Sequence, residues 1–556
     1  MTDQHEELIR RDTVSRNFLF ESISRMLVYI GGIVSSALLT RSLDITTAWT
    51  IVDYANLKVL MNWSNVVAVF ITLGISTSII KSVSENARNR ENVGRIITIS
   101  LITVTFTFVL VSFITVFFAE PLNFLVESTP EATNEMRFLW ILVLLSFLPT
   151  AYTRIIYSVF SGVQRRIRIL TVDIIFNLSR IILIVYLFLS SSLTIFSIII
   201  MFLITNLIAF ILAGIILVRL VRIENIKLGI EGWRKSMGQF WNIFFVFGFL
   251  SFISVFFNFV TPLFVDALGT DLDMARYSWS QNTVYTIRNF ISAPFAVLLP
   301  NIAAYYAQGR IRELKDRFDE SNRIIIPTLL FVAISVFIFG DAALGTIYGI
   351  RALDSTGGYS AFQFMQIMAL NLFFIPLSTL YGNLLTALGR LRFLLAAGLI
   401  SVILQALWII LLQPIFGIII IALSWIIYIP VFLGHHIYCK KRLDLTISTN
   451  LLKKTALLAI ILVPLAVIFS NASIITLEIL GFIPLLKYTT FYSLGRALFI
   501  VPMWYLFIGI CISLGILKPS DMESLKRFLK KIPPIWWVSK PILRIMEKAL
   551  KRTNTI

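Results

Sequence analysis

A chain of 556 residues that is 58% hydrophobic and only 14% charged is not an ordinary soluble protein, which is about half apolar and about a quarter charged. Its net charge of +18 would invite a nucleic-acid partner in a soluble protein. Here, apolar runs long enough to cross a bilayer recur from residue 18 to residue 516, so the charge has to be read by membrane topology instead.

The first 17 residues, MTDQHEELIRRDTVSRN, are polar and of mixed charge. They lack the short apolar core and small-residue cleavage site of a secretory signal, so the first apolar helix is expected to stay in place. Apolar runs of about 20 residues bounded by charge then predict about fourteen transmembrane helices. They lie at 18–40, 50–80, 95–118, 138–161, 169–190, 193–218, 240–265, 275–303, 324–348, 361–388, 393–413, 416–438, 455–477 and 491–516. The chain reads as an all-α polytopic membrane protein. Only Ser190–Leu193 separate the fifth and sixth runs, which predicts a tight hairpin.

With a cytoplasmic N-terminus, 37 of the 48 Lys and Arg fall in inner segments, and only Arg41, Arg137, Arg276, Arg351 and Lys487 fall outside. Both termini are therefore placed in the cytoplasm of a cell-membrane protein, and no nucleic-acid partner follows from the basicity. The segment 518–556 carries ten basic residues. Ser520 can cap a short helix whose Leu525, Phe528 and Leu529 share a face, and Trp536 and Trp537 suit the headgroup level. The tail is expected to lie on the anionic inner leaflet.

Two cytoplasmic junctions recur. IIKSVSENARNREN (79–92) answers to NIAAYYAQGRIREL (301–314), and FSGVQRRIRILT (160–171) to LTALGRLRFLLA (385–396), at offsets of 222 and 225. The agreement of the offsets predicts two parallel six-helix lobes, 18–222 and 238–440, around a central cavity, followed by two appended helices at 453–516. Parallel repeats related by an axis along the membrane normal are a transporter architecture.

At LLTALGRLRFLLAAGLISVILQALWIILLQPIFGIIIIALSW (384–425), the chain resembles the polysaccharide-flippase branch of the multidrug/oligosaccharidyl-lipid/polysaccharide (MOP) exporter superfamily. The cues are the small-residue turn ALGR (387–390) and the Pro-x-x-Gly step in LQPIFGIIIIAL (412–423). IYGIRALDSTGGYSAFQFMQIMAL (347–370) and SRMLVYIGGIVSSALLTRSL (24–43) add to the likeness. The chain departs from the family where SLDITTAWTIVDYANL (42–57) lacks the usual Gly after helix one, and in its Phe-rich stretch 240–270. The resemblance implies a flippase of lipid-linked oligosaccharide on polyprenyl phosphate or diphosphate, working by alternating access. It also implies a monomer in contact with glycan-assembly enzymes.

Charges inside the predicted spans carry the chemistry. Six are cations, Arg25, Lys58, Arg154, Arg180, Arg288 and Arg496, and three are acids, Glu21, Asp53 and Asp173. At a helix centre each cation costs about 2.5–3.5 kcal/mol on insertion scales, so each must pair, snorkel or face water. Lys58 and Arg496 lie near outer ends and can snorkel. Glu21 with Arg25, four apart, and Asp173 with Arg180, seven apart, can form ion pairs that lock helices. Asp53 and Asp173 can alternatively couple H⁺ or Na⁺. The cation excess suits an anionic substrate, because guanidinium grips phosphate bidentately. The family's cationic-cavity role is carried onto Arg25 and Arg288, and by position onto Arg154 and Arg180; Lys58 completes the candidate phosphate set. Trp241, Tyr277, Trp279 and Tyr285 can stack on sugars or simply pack.

Two other functions compete. A multidrug or small-cation exporter of the same superfamily needs acids in its cavity and little surplus arginine. A polytopic glycosyltransferase or polymerase needs catalytic carboxylates on a sizeable outer loop, where this sequence offers Glu120, Glu127, Glu131 and Glu135 without metal-like clustering. The two cysteines, Cys439 and Cys511, and the three histidines, His5, His435 and His436, lack ligand spacing. No catalytic residue, metal or other cofactor is expected.

Overall fold

The computed structural model describes residues 31–43, 49–117, 130–231, 260–292, 310–479 and 490–517, apart from isolated positions, together with scattered positions from 241 to 255. Glu21 and Arg25, the tail 518–556, His5, Lys487 and the outer loop with Glu120 and Glu127 lie outside the described residues.

The described residues are helical, joined by short turns. After α1 (34–43) come α2 (Ile51–Thr72), α3 (Ile75–Glu85), α4 (Arg90–Phe117), α5 (Pro130–Gly162), α6 (Ile167–Leu189), α7 (Ile195–Ile223), α8 (Thr261–Leu268) and α9 (Asp271–Ser292). They are followed by α10 (Ile311–Tyr348), α11 (Ala361–Ala369), α12 (Asn371–Ala387), α13 (Leu391–Phe416), α14 (Ile419–Leu423), α15 (Tyr428–Leu443), α16 (Thr449–Ile479), α17 (Thr490–Leu498) and α18 (Ile500–Ser513).

Among the described residues, nine helices are long and apolar enough to cross a membrane, and α11 with α12, bent by 42°, makes a tenth. Of the fourteen expected spans, those at 18–40 and 240–265 run over residues outside the described ones, and those at 50–80 and 275–303 differ for physical reasons. The run 50–80 is two helices, because Gly74 takes φ 73° and turns the chain between α2 and α3. That left-handed backbone favours glycine. α2 and α9 are 22 residues each, but polar side chains such as Asn56, Lys58, Ser280, Gln281 and Arg288 keep both below the hydropathy of the nine. A membrane helix that polar has to face something other than acyl chains.

Two compact units, Met1–Ala275 and Arg276–Ile556, divide the chain. In the first, α5 is the central helix, packed on α3, α4 and α7. Its Ile155, Val159 and Phe160 meet Ile75, Ile79 and Val83 of α3 in one buried cluster. α3 and α5 approach so closely at Gly162 that a Cβ there would sit 2.8 Å from Val83. α6 and α7 form the expected hairpin, closed by Ser191 at φ 53° and by a capping box in which Thr194 and Ser197 exchange hydrogen bonds.

In the second unit α10 is central, packed on α11, α12, α16 and α17. Arg496 of α17 forms an ion pair with Asp341 of α10, and it donates to Ser470 (2.8 Å) and Ser473 (3.3 Å) of α16. Its guanidinium is buried rather than snorkelling outward, and it locks three helices. At the other end of this bundle Lys454 Nζ donates to Gly515 O at 2.9 Å.

The repeat also appears in capping chemistry. Ile51 and Asp271, the first residues of α2 and α9, are 220 apart. Before α2, the Thr50 N–H and hydroxyl donate to Asp53 Oδ2 (2.9 and 2.6 Å), and the Asp53 N–H returns a bond to Thr50 Oγ1 (3.2 Å). Thr270 and Asp273 repeat the pattern before α9 at 3.1, 2.7 and 3.2 Å. The same reciprocal box opens equally long helices in corresponding places.

Candidate functional site

The membrane-embedded charges of the first unit sit on α2, α5 and α6. Helix period brings Asp173, Asn177 and Arg180 of α6 onto one face. Asp173 and Asn177 are buried. Tyr157 of α5 donates its hydroxyl to Asp173 Oδ1 at 2.7 Å, and Asn177 Nδ2 donates to the Asp173 carbonyl at 2.7 Å. Asn177 Oδ1 is buried with no partner, and a Cβ at Gly31 would collide with it. Helix one therefore passes directly over this polar face.

Asp173 and Arg180 do not form the ion pair that their seven-residue spacing allows. Arg180 instead lays its guanidinium over the Phe202 ring of α7, 4.7 Å from the centroid, with Nε buried and unbonded. Lys58 of α2 stands 5.2 Å over the ring of Tyr54, close enough to Arg180 for the two charges to repel each other. Asp53 does not neutralise Lys58, because its carboxylate is committed to the α2 cap.

Arg154 lies about two helical turns inside the Gly162 end of the α5 span, and its side chain is exposed. It lines a tight groove, without room for a water molecule, with Ala68, Ile71 and Thr72 of α2 and Phe147, Thr150 and Ala151 of α5. The walls are apolar and the one charged group is a cation. Among the described residues none of Lys58, Arg154 or Arg180 has a carboxylate partner.

In the second unit Arg288 stacks on Tyr285 at 4.4 Å. Tyr285 packs on Trp425 at 5.3 Å, and Trp425 Nε1 donates to the Tyr277 hydroxyl at 3.2 Å. Tyr277 and Trp279 are fully buried, and Trp279 stacks on Tyr348 at 6.0 Å. Trp241 packs on Phe244 and Phe245. Packing accounts for these three rings, whereas Tyr285 and Arg288 stay partly accessible.

Two groups escaped the sequence reading. Arg276, assigned to an outer segment, is 1% exposed; it donates to Thr356 O at 3.1 Å and lies 3.6 Å from Asp354. The polarity of α9 was its signal, because a guanidinium there can turn inward. Tyr157 was missed because an isolated tyrosine in an apolar helix reads as packing, and only the fold reveals its acid partner.

Comparison with known proteins gives the arrangement its context. No curated protein sequence matches the chain. The fold is similar to that of the lipid II flippase MurJ in an inward closed conformation, with a TM-score of 0.63 and 16% identity over 88% of this chain and 98% of that one. It is also similar to a MOP superfamily transporter from Pyrococcus furiosus (TM-score 0.59, 11% identity, 78% and 98% of the two chains). A third likeness is to the Vibrio cholerae MATE transporter VcmN (0.56, 15%, 77% and 98%). At such identities the likeness is one of fold. The polysaccharide biosynthesis protein family matches residues 14–306. That is more than half of the chain, which therefore belongs to the polysaccharide biosynthesis protein family and shares its fold with transporters of the MOP superfamily.

Proposed function

We propose that the protein is a flippase for lipid-linked oligosaccharide, moving a polyprenyl phosphate or diphosphate sugar from the inner to the outer leaflet of the cell membrane by alternating access. The observation that carries this reading is Arg154, a cation inside an apolar span, exposed beside an apolar groove and without a carboxylate partner among the described residues. Lys58 and Arg180 likewise have no carboxylate partner there and rest on aromatic rings instead. Three such cations cost on the order of 8–10 kcal/mol on insertion scales, a cost that a passing phosphate offsets with charge-assisted bonds in a low-dielectric site. A small-cation exporter would place its acids where these cations stand. Arg288, on its aromatic support, is the corresponding contact proposed for the second unit, and Arg25 for helix one. MurJ, to which the fold is similar, is a flippase of lipid II, which agrees with a lipid-linked substrate.

The reading is tested with the purified protein in liposomes carrying a fluorescent lipid-linked oligosaccharide, whose arrival in the outer leaflet is read by a lectin. The wild type is expected to flip it, and Arg154→Gln or Arg180→Gln to slow flipping at least ten-fold with unchanged folded yield. Equal rates in all three proteins would contradict the reading.

A further inference from the structure

The junction FSGVQRRIRILT, singled out for its repeat, has a second property once folded. Arg165 lies in the turn between α5 and α6, Arg168 in the first turn of α6, Arg219 near the end of α7 and Arg90 at the start of α4. Three of them, Arg90, Arg165 and Arg168, interact with one carboxylate, and Arg219 adjoins Arg168. Glu224 forms an ion pair with Arg165, and Arg90 approaches it to 3.8 Å. Arg168 has Arg165, Arg219 and Glu224 as its electrostatic neighbours, and its Nη1 is buried with no hydrogen-bond partner. Four guanidinium groups thus cluster around a single acid that three of them share, leaving an excess of three positive charges.

An ordinary positive-inside segment carries its charges in water. Here Arg165 and Arg168 are only partly exposed, and one donor is held dry and unbonded. The adjoining surface is apolar. Ile174, Ile175 and Leu178 of α6 and Ile211, Ile215 and Val218 of α7 are all exposed large side chains on the same packed hairpin. A cationic head and an apolar flank on one hairpin complement a molecule with an anionic head and acyl tails.

We propose that Arg165, Arg168 and Arg219 bind the phosphodiester of an anionic phospholipid of the inner leaflet, its chains lying along the apolar flank of α6 and α7. Glu224 is then a competing anion that holds the arginines together when the lipid is absent. The site is separate from Lys58, Arg154 and Arg180 and independent of what those cations carry.

The test uses the full chain in neutral detergent, titrated with phosphatidylglycerol and phosphatidylcholine of identical acyl chains, with retained lipid read by native mass spectrometry. The wild type should retain phosphatidylglycerol at least ten-fold better than phosphatidylcholine. Arg168→Gln and Arg219→Gln should each reduce that retention several-fold, whereas Glu224→Gln should raise it. The control Lys440→Gln/Lys441→Gln, on the exposed end of α15, should leave it unchanged. Equal retention of the two lipids, or wild-type retention in Arg168→Gln, would overturn the proposal. A Glu224→Gln variant that loses lipid as Arg168→Gln does would overturn it too, since the cluster would then be a structural lock.

Discussion

Arg496 and Arg154 are the same residue type in helices of the same membrane protein, and their surroundings give them opposite roles. Arg496 has Asp341, Ser470 and Ser473 around it, so its charge is matched and its donors are used. Asp341→Asn leaves that guanidinium buried and unneutralised and should destabilise the protein by about 3 kcal/mol, the low end for breaking a buried pair. Thermal unfolding in detergent should show the loss, and Arg496→Met should lose less. Arg154 has only an apolar groove beside it. Arg154→Gln should leave the unfolding temperature unchanged or raise it, because an unpaired charge is removed without orphaning a partner. A destabilised Arg154→Gln would identify this arginine as structural after all.

At the scale of elements, α2 and α9 differ in sequence but begin with the same reciprocal cap. Each box satisfies two donors that a helix start leaves open. Asp53→Ala and Asp273→Ala should each cost about 1 kcal/mol, and the two effects should add, because the sites share no partner. The loop between α10 and α11 is tied to α9 through Arg276, Thr356 and Asp354. The Thr356 hydroxyl and then its backbone N–H hold the Asp354 carboxyl below the ordinary carboxylate range. A depressed folded value means that this contribution is intact above the ordinary range and is lost as pH falls through the lowered one. Amide exchange at Thr356, relative to its intrinsic rate, should therefore rise under acid conditions, and Asp354→Asn should remove that dependence.

How far these elements could be read from sequence follows from the signal each left. The α6–α7 hairpin was legible because hydropathy falls sharply at Ser190–Leu193. The break at Gly74 was not, since apolar residues continue through it and only the backbone angle marks the turn. The excess of cations could be counted in advance. That Asp173 meets Tyr157 rather than Arg180 could not, because helix spacing says which side chains share a face and nothing about what a neighbouring helix brings to it.

For the whole molecule, the central claim is that unmatched cations inside the membrane-spanning helices exist to meet a phosphate in transit. Composition pointed to the class of molecule, and the offsets near 220 recur in the matching caps of α2 and α9. The chemistry came from which charges the fold leaves without partners. The most direct test compares binding of a polyprenyl diphosphate with that of the corresponding neutral polyprenol, in wild type and in an Arg154→Gln/Arg180→Gln variant. The wild type should prefer the diphosphate by about a hundred-fold, as two charge-assisted contacts of roughly 1.5 kcal/mol each imply, and the variant should bind both alike. A wild type that binds the alcohol as tightly as the diphosphate, or a variant that keeps the full preference, would contradict the account.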